Sequence, residues 1–556
     1  MTHASKDIYL TSIIPLVPQI LTQIDRRAGS PTKGCFDREY WQHLSVDFPC
    51  MEKQESVLTL WLLYEIEHSS NVYRGSSRLL EWLEDGVGFW CKSQRPNGSF
   101  DEWYPHENSM TATAFSTRCI TECLIQTKDS IKWKEDVYAH VLRAARWIAG
   151  CSEYSVSNQE AGAILALDNT ARITGNTKIK EAADNKLKKL LSLQDEEGWF
   201  SEYGGADVGY SSVTLAYLAQ LWKRSPSERL YSALERLVSF ISNFVHLDFS
   251  LGGCYGSRNT EYILPLGAEI LASKVPLAAG LAAKLRLAYS KRADIGLSNV
   301  DHRYLLLHNY FYLESYREAR DPLDVPSLNA AQDFSFGRCG IIGRSREGGH
   351  IVASLKKGGA FKIASTDRSL TDCGWTVCDS GRVLISYHFP GSLESHLYPE
   401  GFKVKGRLKY ISTAKMTTLA LVALRVYMST FGRFKFFSRL LKNFSRYILI
   451  TNSRASGIEF ERDVSVNKLG IIVNDTLKGL SNSQVVYLGG SLSYALGPST
   501  GTFRNEQLSV KSLCFKEDDF QGGKLHVERQ ISWNTELNLF KVNNLKKELS
   551  SEHAKI

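Results

Sequence analysis

The sequence predicts an α+β multidomain protein: an N-terminal (α/α) toroid of helical hairpins followed by a C-terminal antiparallel β-sandwich. Three observations carry this. Gly–aromatic loops recur through the first 260 residues: Gly34 with Phe36 and Asp37, Gly98 with Phe100 and Glu102, Gly198 with Phe200 and Glu202, Gly253 with Tyr255. The segments between them place apolar residues at helical spacing. After Phe334 the pattern changes to short apolar runs divided by Gly, Ser and Asp, which reads as strands and turns.

The four loops start 64, 100 and 55 residues apart. A loop at 151–160 lies near the middle of the longest interval, and Asp301 to Tyr304 follows Gly253 by about one more period. A period of about 50 residues exceeds most helical repeats and suits two helices plus two loops. Equivalent loops would then emerge on one rim. The competing reading is that Gly and aromatic residues simply punctuate helices.

The spacing predicts helices over 7–27, 51–70, 76–94, 111–126, 136–149, 159–174, 178–193, 211–224, 227–246, 264–274, 276–289 and 303–319, enough for six hairpins. Pro15 and Pro18 interrupt the first, where Ile8, Leu10, Ile13 and Val17 mark the apolar face. In the second, Leu58, Trp61, Leu62 and Ile66 mark it. The toroid is expected over 1–325 and a Pro-bearing linker over 326–335. The sandwich is expected over 336–545, with strands in the Gly-punctuated runs from Cys339 to Phe389, in 401–412, and at 457–463, 469–474, 484–488, 508–515 and 524–533. Residues 546–556 read as a polar tail.

A chain of 556 residues exceeds what one core usually holds, so two or more domains are expected. No run of 18 uncharged apolar residues appears, and a secretory start is not evident. Eleven cysteines without paired metal-type spacing point to a reducing compartment, hence to the cytoplasm. The formal charge of +8 suits an anionic partner. No nucleic-acid motif is present, which leaves an acidic polysaccharide or a membrane surface. For the latter, 417–450 mixes Leu, Val and Phe with Arg425, Arg433, Lys435, Arg439, Lys442 and Arg446, as an interfacial helix on an anionic membrane would. The alternative is a strand and a basic helix packed on the sandwich.

Two stretches carry a resemblance. The run from Glu197 to Leu221 is similar to the Asp-Gly-aromatic-x-Glu loop and Tyr-bearing helix start of the heparinase II/III-like polysaccharide lyases. The segment from His350 through Gly358 and Gly359 to Asp372 and Gly374 looks like the opening strands of their sandwich. The resemblance implies β-elimination on a uronate-containing glycan. That chemistry needs a group to neutralise the sugar carboxylate, a base for the C5 proton, an acid for the leaving oxygen and a cationic cleft.

On this reading Asn259 polarises the carboxyl group, Tyr262 or Tyr255 acts as base and acid, and Arg258 binds an acidic group. The competing reading makes Asn259, Thr260 and Glu261 the start of a helix near Tyr262. Glu202 and Tyr210 are further catalytic candidates. Glu102, Trp103, Tyr104, His106, Glu261, His302 and Arg303 are candidates for substrate contact. His350 matches the family's sandwich histidine, but Val352 stands where a second His belongs. No cofactor is implied. A metal site from His388, Glu394 and His396 is conceivable, but the spacing is not diagnostic.

Other activities stay open: a non-catalytic glycan-binding protein, a uronyl C5-epimerase, or a hydrolase using Asp101, Glu102, Glu202 and Asp207. Gln94 and Gln194, each just before a Gly–aromatic loop, are similar to terpenoid cyclase repeats, but the acidic motifs of those enzymes are missing.

Overall fold

The computed structural model describes residues 4–323, 332–389, 393–411, 417–434, 437, 440–441, 454–490, 501–508, 512–533, 537–543 and 545–547. Helices occupy the first part: α1 (Asp7–Ile13), α2 (Val17–Leu21), α3 (Arg38–Trp41), α4 (Val57–Glu65), α5 (Ser77–Ser93), α6 (Met110–Gln126), α7 (Glu135–Ala149), α8 (Ser157–Thr174), α9 (Thr177–Ser192), α10 (Val208–Arg224), α11 (Glu228–Ile241), α12 (Leu266–Leu271), α13 (Pro276–Lys291) and α14 (His302–Glu318).

Six of them form an inner ring in which each packs on the next: α4, α6, α8, α10, α12, α14 and back to α4. The other partner of each hairpin (α5, α7, α9, α11, α13, α1) lies outside. Ring closure joins residues far apart in sequence, as where Ser56 Oγ donates to Leu306 O at 2.7 Å. The two rings differ in pattern for a physical reason. Inner α8 is buried from Ser157 to Ala171 with the single exception of Gln159, whereas outer α9 buries only Ile179, Ala183, Lys186 and Leu190. An outer helix needs one apolar stripe; an inner one is covered all round.

Several element ends differ from expectation. The proline-bearing 7–27 segment divides into α1, a short 3-10 turn at Ile14–Leu16 and α2, because each proline removes a helical donor. Residues Met51–Ser56 form a 3-10 turn before α4. The 227–246 helix stops at Ile241, with a 3-10 turn at Ser242–Phe244. The 264–274 helix shrinks to Leu266–Leu271.

Strands follow in two antiparallel sheets. The first is a meander of β1 (Phe334–Phe336), β2 (Ile341–Arg346), β3 (Gly349–Ser354), β4 (Ala360–Ala364) and β5 (Ser369–Asp372). The second contains β6 (Trp375–Asp379), β7 (Arg382–Ile385), β8 (Glu394–Tyr398), β9 (Gly401–Ile411), β10 (Ala455–Val466), β11 (Gly470–Lys478), β12 (Val485–Leu488), β13 (Leu513–Phe515), β14 (Lys524–Ser532), β15 (Leu537–Val542) and β16 (Leu545–Lys547). Its order is β13-β12-β6-β7-β9-β10-β11-β14-β15-β16, with β8 also on β9. β10 alternates buried and more exposed residues along its whole length, as a strand with one face on a core must. Residues of both sheets, among them Ile351 and Phe361 with Val464 and Val473, share that core.

The expected linker lies outside the described residues at 326–331, and so does the tail beyond Lys547. Within 417–450 the structure places a helix, α15 (Thr418–Ser429), and a short turn at Phe431–Arg433. Residues 442–450 lie outside the described part. Among the described residues no helix is long and apolar enough to cross a membrane.

Candidate active site

The repeated loops share one construction. Gly98 and Gly198 have φ of +96° and +95°, and a Cβ at either would stand 2.4 or 2.3 Å from the carbonyl oxygen of Arg143 or Arg236 on the next outer helix. In both repeats a glutamine clamps the turn. Gln94 Nε2 donates to Gly98 O and His140 O; Gln194 Nε2 donates to Gly198 O and Ala233 O. Phe36, Phe100, Phe200 and Tyr255 are all buried beneath their loops. The loops therefore emerge on one rim, and the sandwich sits against that rim. Arg338 pairs with Asp195 and Glu196, His350 meets His246, and Arg504 reaches Glu261.

At this junction the loop Gly252–Tyr262 carries most of the chemistry. Asp207, the N-cap of α10, accepts from the Arg258 backbone N–H at 2.9 Å and from the Thr260 hydroxyl. Thr260 Oγ1 in turn accepts from Gly209 N at 2.7 Å. No helix begins near Tyr262, so the expected cap there is corrected: Thr260 supports α10, and the next helix starts at Leu266. The guanidinium of Arg258 lies 4.4 Å from the Tyr203 ring, and its charge opposes the rise that burial causes in the Tyr210 pKa. Among the described residues no carboxylate pairs with Arg258, and its Nε has no hydrogen-bond partner.

Asn259 takes φ +57°, and its side-chain oxygen accepts from the buried ammonium of Lys357, in the turn between β3 and β4. Lys357 also donates to Gly256 O at 2.7 Å. Burial lowers its pKa to about 8. An ammonium only donates, so it fixes which end of the amide faces it. Among the described residues no hydrogen bond takes the Asn259 NH2 group.

Tyr255 ends on a histidine that the sequence reading passed over. Its hydroxyl lies 3.0 Å from His246 Nε2, which also lies 3.0 Å from Gly252 O. His246 Nδ1 is 2.7 Å from Nε2 of His350, and the two rings stack 5.0 Å apart at 11°. His350 is thus placed at the junction with His246, and among the described residues its buried Nδ1 has no partner. Burial holds both histidines below their ordinary pKa, His350 at about 4, so both are neutral near pH 7. Burial also raises Tyr255. The one sequence signal for His246 is its position nine residues before Tyr255, ahead of the Gly252–Gly253 turn. Tyr255 is only 1% exposed and His246 3%, so toroid and sandwich enclose the pair.

Other candidates have different surroundings. Glu202 is fully buried and accepts from Asn158 N at 2.9 Å and Asn158 Nδ2 at 2.8 Å, tying two rim loops together. Burial raises its pKa well above the carboxylate range. Asp101 likewise accepts from Arg95 and from the His106 and Asn108 backbone. Tyr262 packs on His308, itself a core histidine whose pKa burial lowers to about 3. Arg303 lies between Glu52 and Glu102, with the Trp103 ring 4.0 Å away. Burial and the Glu102 charge push Glu52 up to about 8. Arg303 is thus already paired, while the Trp103 ring is 63% exposed. Tyr104 and His106 are half-buried beside it, and His302 is exposed at the start of α14. His388 is buried, whereas Glu394 and His396 are exposed on β8; among the described residues no group of three metal-type side chains gathers.

Comparison with known proteins agrees with this architecture. No family profile and no curated protein matches the sequence. Among solved structures, a chondroitin AC lyase of Streptomyces coelicolor A3 in complex with chondroitin sulphate is similar over 87% of this chain and 68% of its own, with a TM-score of 0.52 and 10% identity. A heparinase III aligns over 86% and 77% at a TM-score of 0.43 and 8% identity. An unsaturated glucuronyl hydrolase of Streptococcus agalactiae aligns over 57% and 93% at 0.40 and 11%. The fold, a helical toroid followed by a β-sandwich, is similar to that of the chondroitin AC lyase.

Proposed function

We propose that the protein cleaves an acidic, uronate-containing glycan by β-elimination at the junction of rim and sandwich. One observation carries this reading: a Tyr–His acid–base pair stands on or against one loop with an arginine and an amide NH2 group that, among the described residues, have no carboxylate and no hydrogen-bond partner respectively. The C5 proton becomes acidic only when charge moving onto the sugar carboxylate is stabilised. Arg258 supplies the charge and Asn259 the hydrogen-bond donor. Once that junction opens and water relieves the burial that opposes both charged forms, His246 takes the phenolic proton of Tyr255, the phenolate takes the C5 proton and passes it to the leaving oxygen as the C4–O bond breaks, and His246 returns its proton to Tyr255. The products are a 4,5-unsaturated uronate and a new chain end. Because the pair is enclosed, rim and sandwich part before the polymer reaches it.

A second reading follows from exposure. Tyr210 is only half-buried; burial raises its pKa but the Arg258 charge opposes that rise, so it can act as base without that opening. Eleven free cysteines suit a reducing compartment, where such an enzyme would serve glycan assembly or remodelling.

The test is a panel of acidic polysaccharides assayed for new ultraviolet absorbance. Tyr255→Phe abolishing turnover while Tyr210→Phe retains it supports the first reading; the reverse supports the second. Reducing ends without absorbance make the protein a hydrolase, and solvent deuterium entering C5 without cleavage makes it an epimerase. Affinity with no turnover on any polymer leaves a binding protein and ends the proposal.

A further inference from the structure

The charge of the chain is unevenly placed. Residues 410 to 458 contain eight Lys and Arg and no Asp or Glu, so this stretch alone accounts for the net +8; the remaining acidic and basic residues balance. The same stretch contains α15, the least covered apolar element described. Leu419 is 83% exposed, Val422 54% and Val426 59%, and their i, i+3, i+7 spacing sets them on one helix face. Phe431 and Phe434 continue the patch at 56% and 65%. The helix is nonetheless fixed to the body. Arg425 pairs with Asp47 at 2.9 Å and lies 5.3 Å from the Phe48 ring, and Met428 is fully buried.

We infer that the face from Thr418 to Phe434 docks on an anionic phospholipid bilayer. The cations that crowd the same stretch of sequence favour an anionic surface, and the exposed leucine, valine and phenylalanine side chains select one with an apolar interior. A hydrated acidic glycan satisfies only the first demand. Twelve residues of helix span about 18 Å, short of the roughly 30 Å hydrocarbon core, so α15 lies in the interface and does not cross it. The contact is independent of the junction site and would hold the enzyme at a membrane face.

The test is sedimentation of the full chain with vesicles of phosphatidylcholine, alone or mixed with phosphatidylglycerol, at low and high salt. Binding is expected only to the mixed vesicles and to weaken with salt. The combined Leu419→Ser, Val422→Ser and Val426→Ser variant should lose about tenfold or more in affinity with an unchanged thermal transition and unchanged glycan turnover. Three results overturn the inference: no binding to mixed vesicles, binding that the triple variant retains, or a wild-type dimer that the triple variant dissolves, which would put a second copy on this face. Vesicle binding without any glycan turnover leaves the inference standing and removes only the catalytic reading.

Discussion

Lys357 shows how one side chain from the sandwich can prepare a loop of the toroid. Its ammonium donates to the Asn259 oxygen, which leaves the NH2 group available to a substrate carboxylate. Above about pH 8 the neutral amine can also accept, and the amide orientation is no longer imposed. We expect kcat to fall on the alkaline side with a midpoint near pH 8. In Lys357→Met, kcat should drop about a hundredfold with little change in KM, and that alkaline limb should vanish. Steady-state kinetics across pH reads this directly; a wild-type profile in the variant refutes the role. The loop holding Asn259 was legible because its residue types gather within five positions of sequence. Lys357 was not, since a lysine in a Gly-flanked turn reads as a solvated charge until the chain folds over it. Arg303 reads as a ligand for acids in sequence, and the fold pairs it with Glu52 and Glu102, which lie about 250 and 200 residues away.

The repeating loops and the strand core set the stability of their elements. At Gly198 a side chain meets both an unfavourable positive φ and a carbonyl at 2.3 Å. Gly198→Ala should cost about 2–4 kcal/mol by denaturant unfolding, against less than about 1 at a compatible glycine. In the sandwich, Arg462 on β10 bonds Asp475 at 2.7 Å and Asp372 at 3.0 Å, and Arg529 on β14 closes the square at 2.6 and 2.7 Å. Arg462→Met leaves two buried carboxylates facing one guanidinium and should cost about 3–5 kcal/mol. Burial opposes the Asp372 charge, but Arg462 and Arg529 overcome it and lower its pKa to about 2. A depressed carboxylate pKa stabilises above its unfolded value, about 4, so this contribution is lost as pH falls from about 4 toward 2. The Gly–aromatic period made the loops visible in sequence. The square was hidden: Arg462 lies 90 residues from Asp372, and only sheet pairing brings them together.

The two halves of the molecule meet through buried, neutral histidines. His246 from the toroid and His350 from the sandwich both have lowered pKa values, caused first by burial. A depressed pKa means that the unfolded chain binds the proton more readily, so their stabilisation is full above about pH 6.5 and is lost as pH falls toward about 4. Calorimetry should show toroid and sandwich unfolding together near pH 7, with the transition dividing as pH approaches 4; a single transition throughout that range contradicts the interface role. The sequence by itself determined the fold class, the six hairpins, the position of the strand region and the loop that bears Arg258, Asn259 and Tyr255. Those follow from periodicity and turn residues, which act over a few positions of chain. Only the tertiary structure decided that Lys357 joins that loop, that His246 meets His350 across the junction, that Glu202 ties loops together, and that α15 is left uncovered: Lys357 lies 98 residues from Asn259, His350 104 from His246 and Glu202 44 from Asn158, separations that no local pattern records.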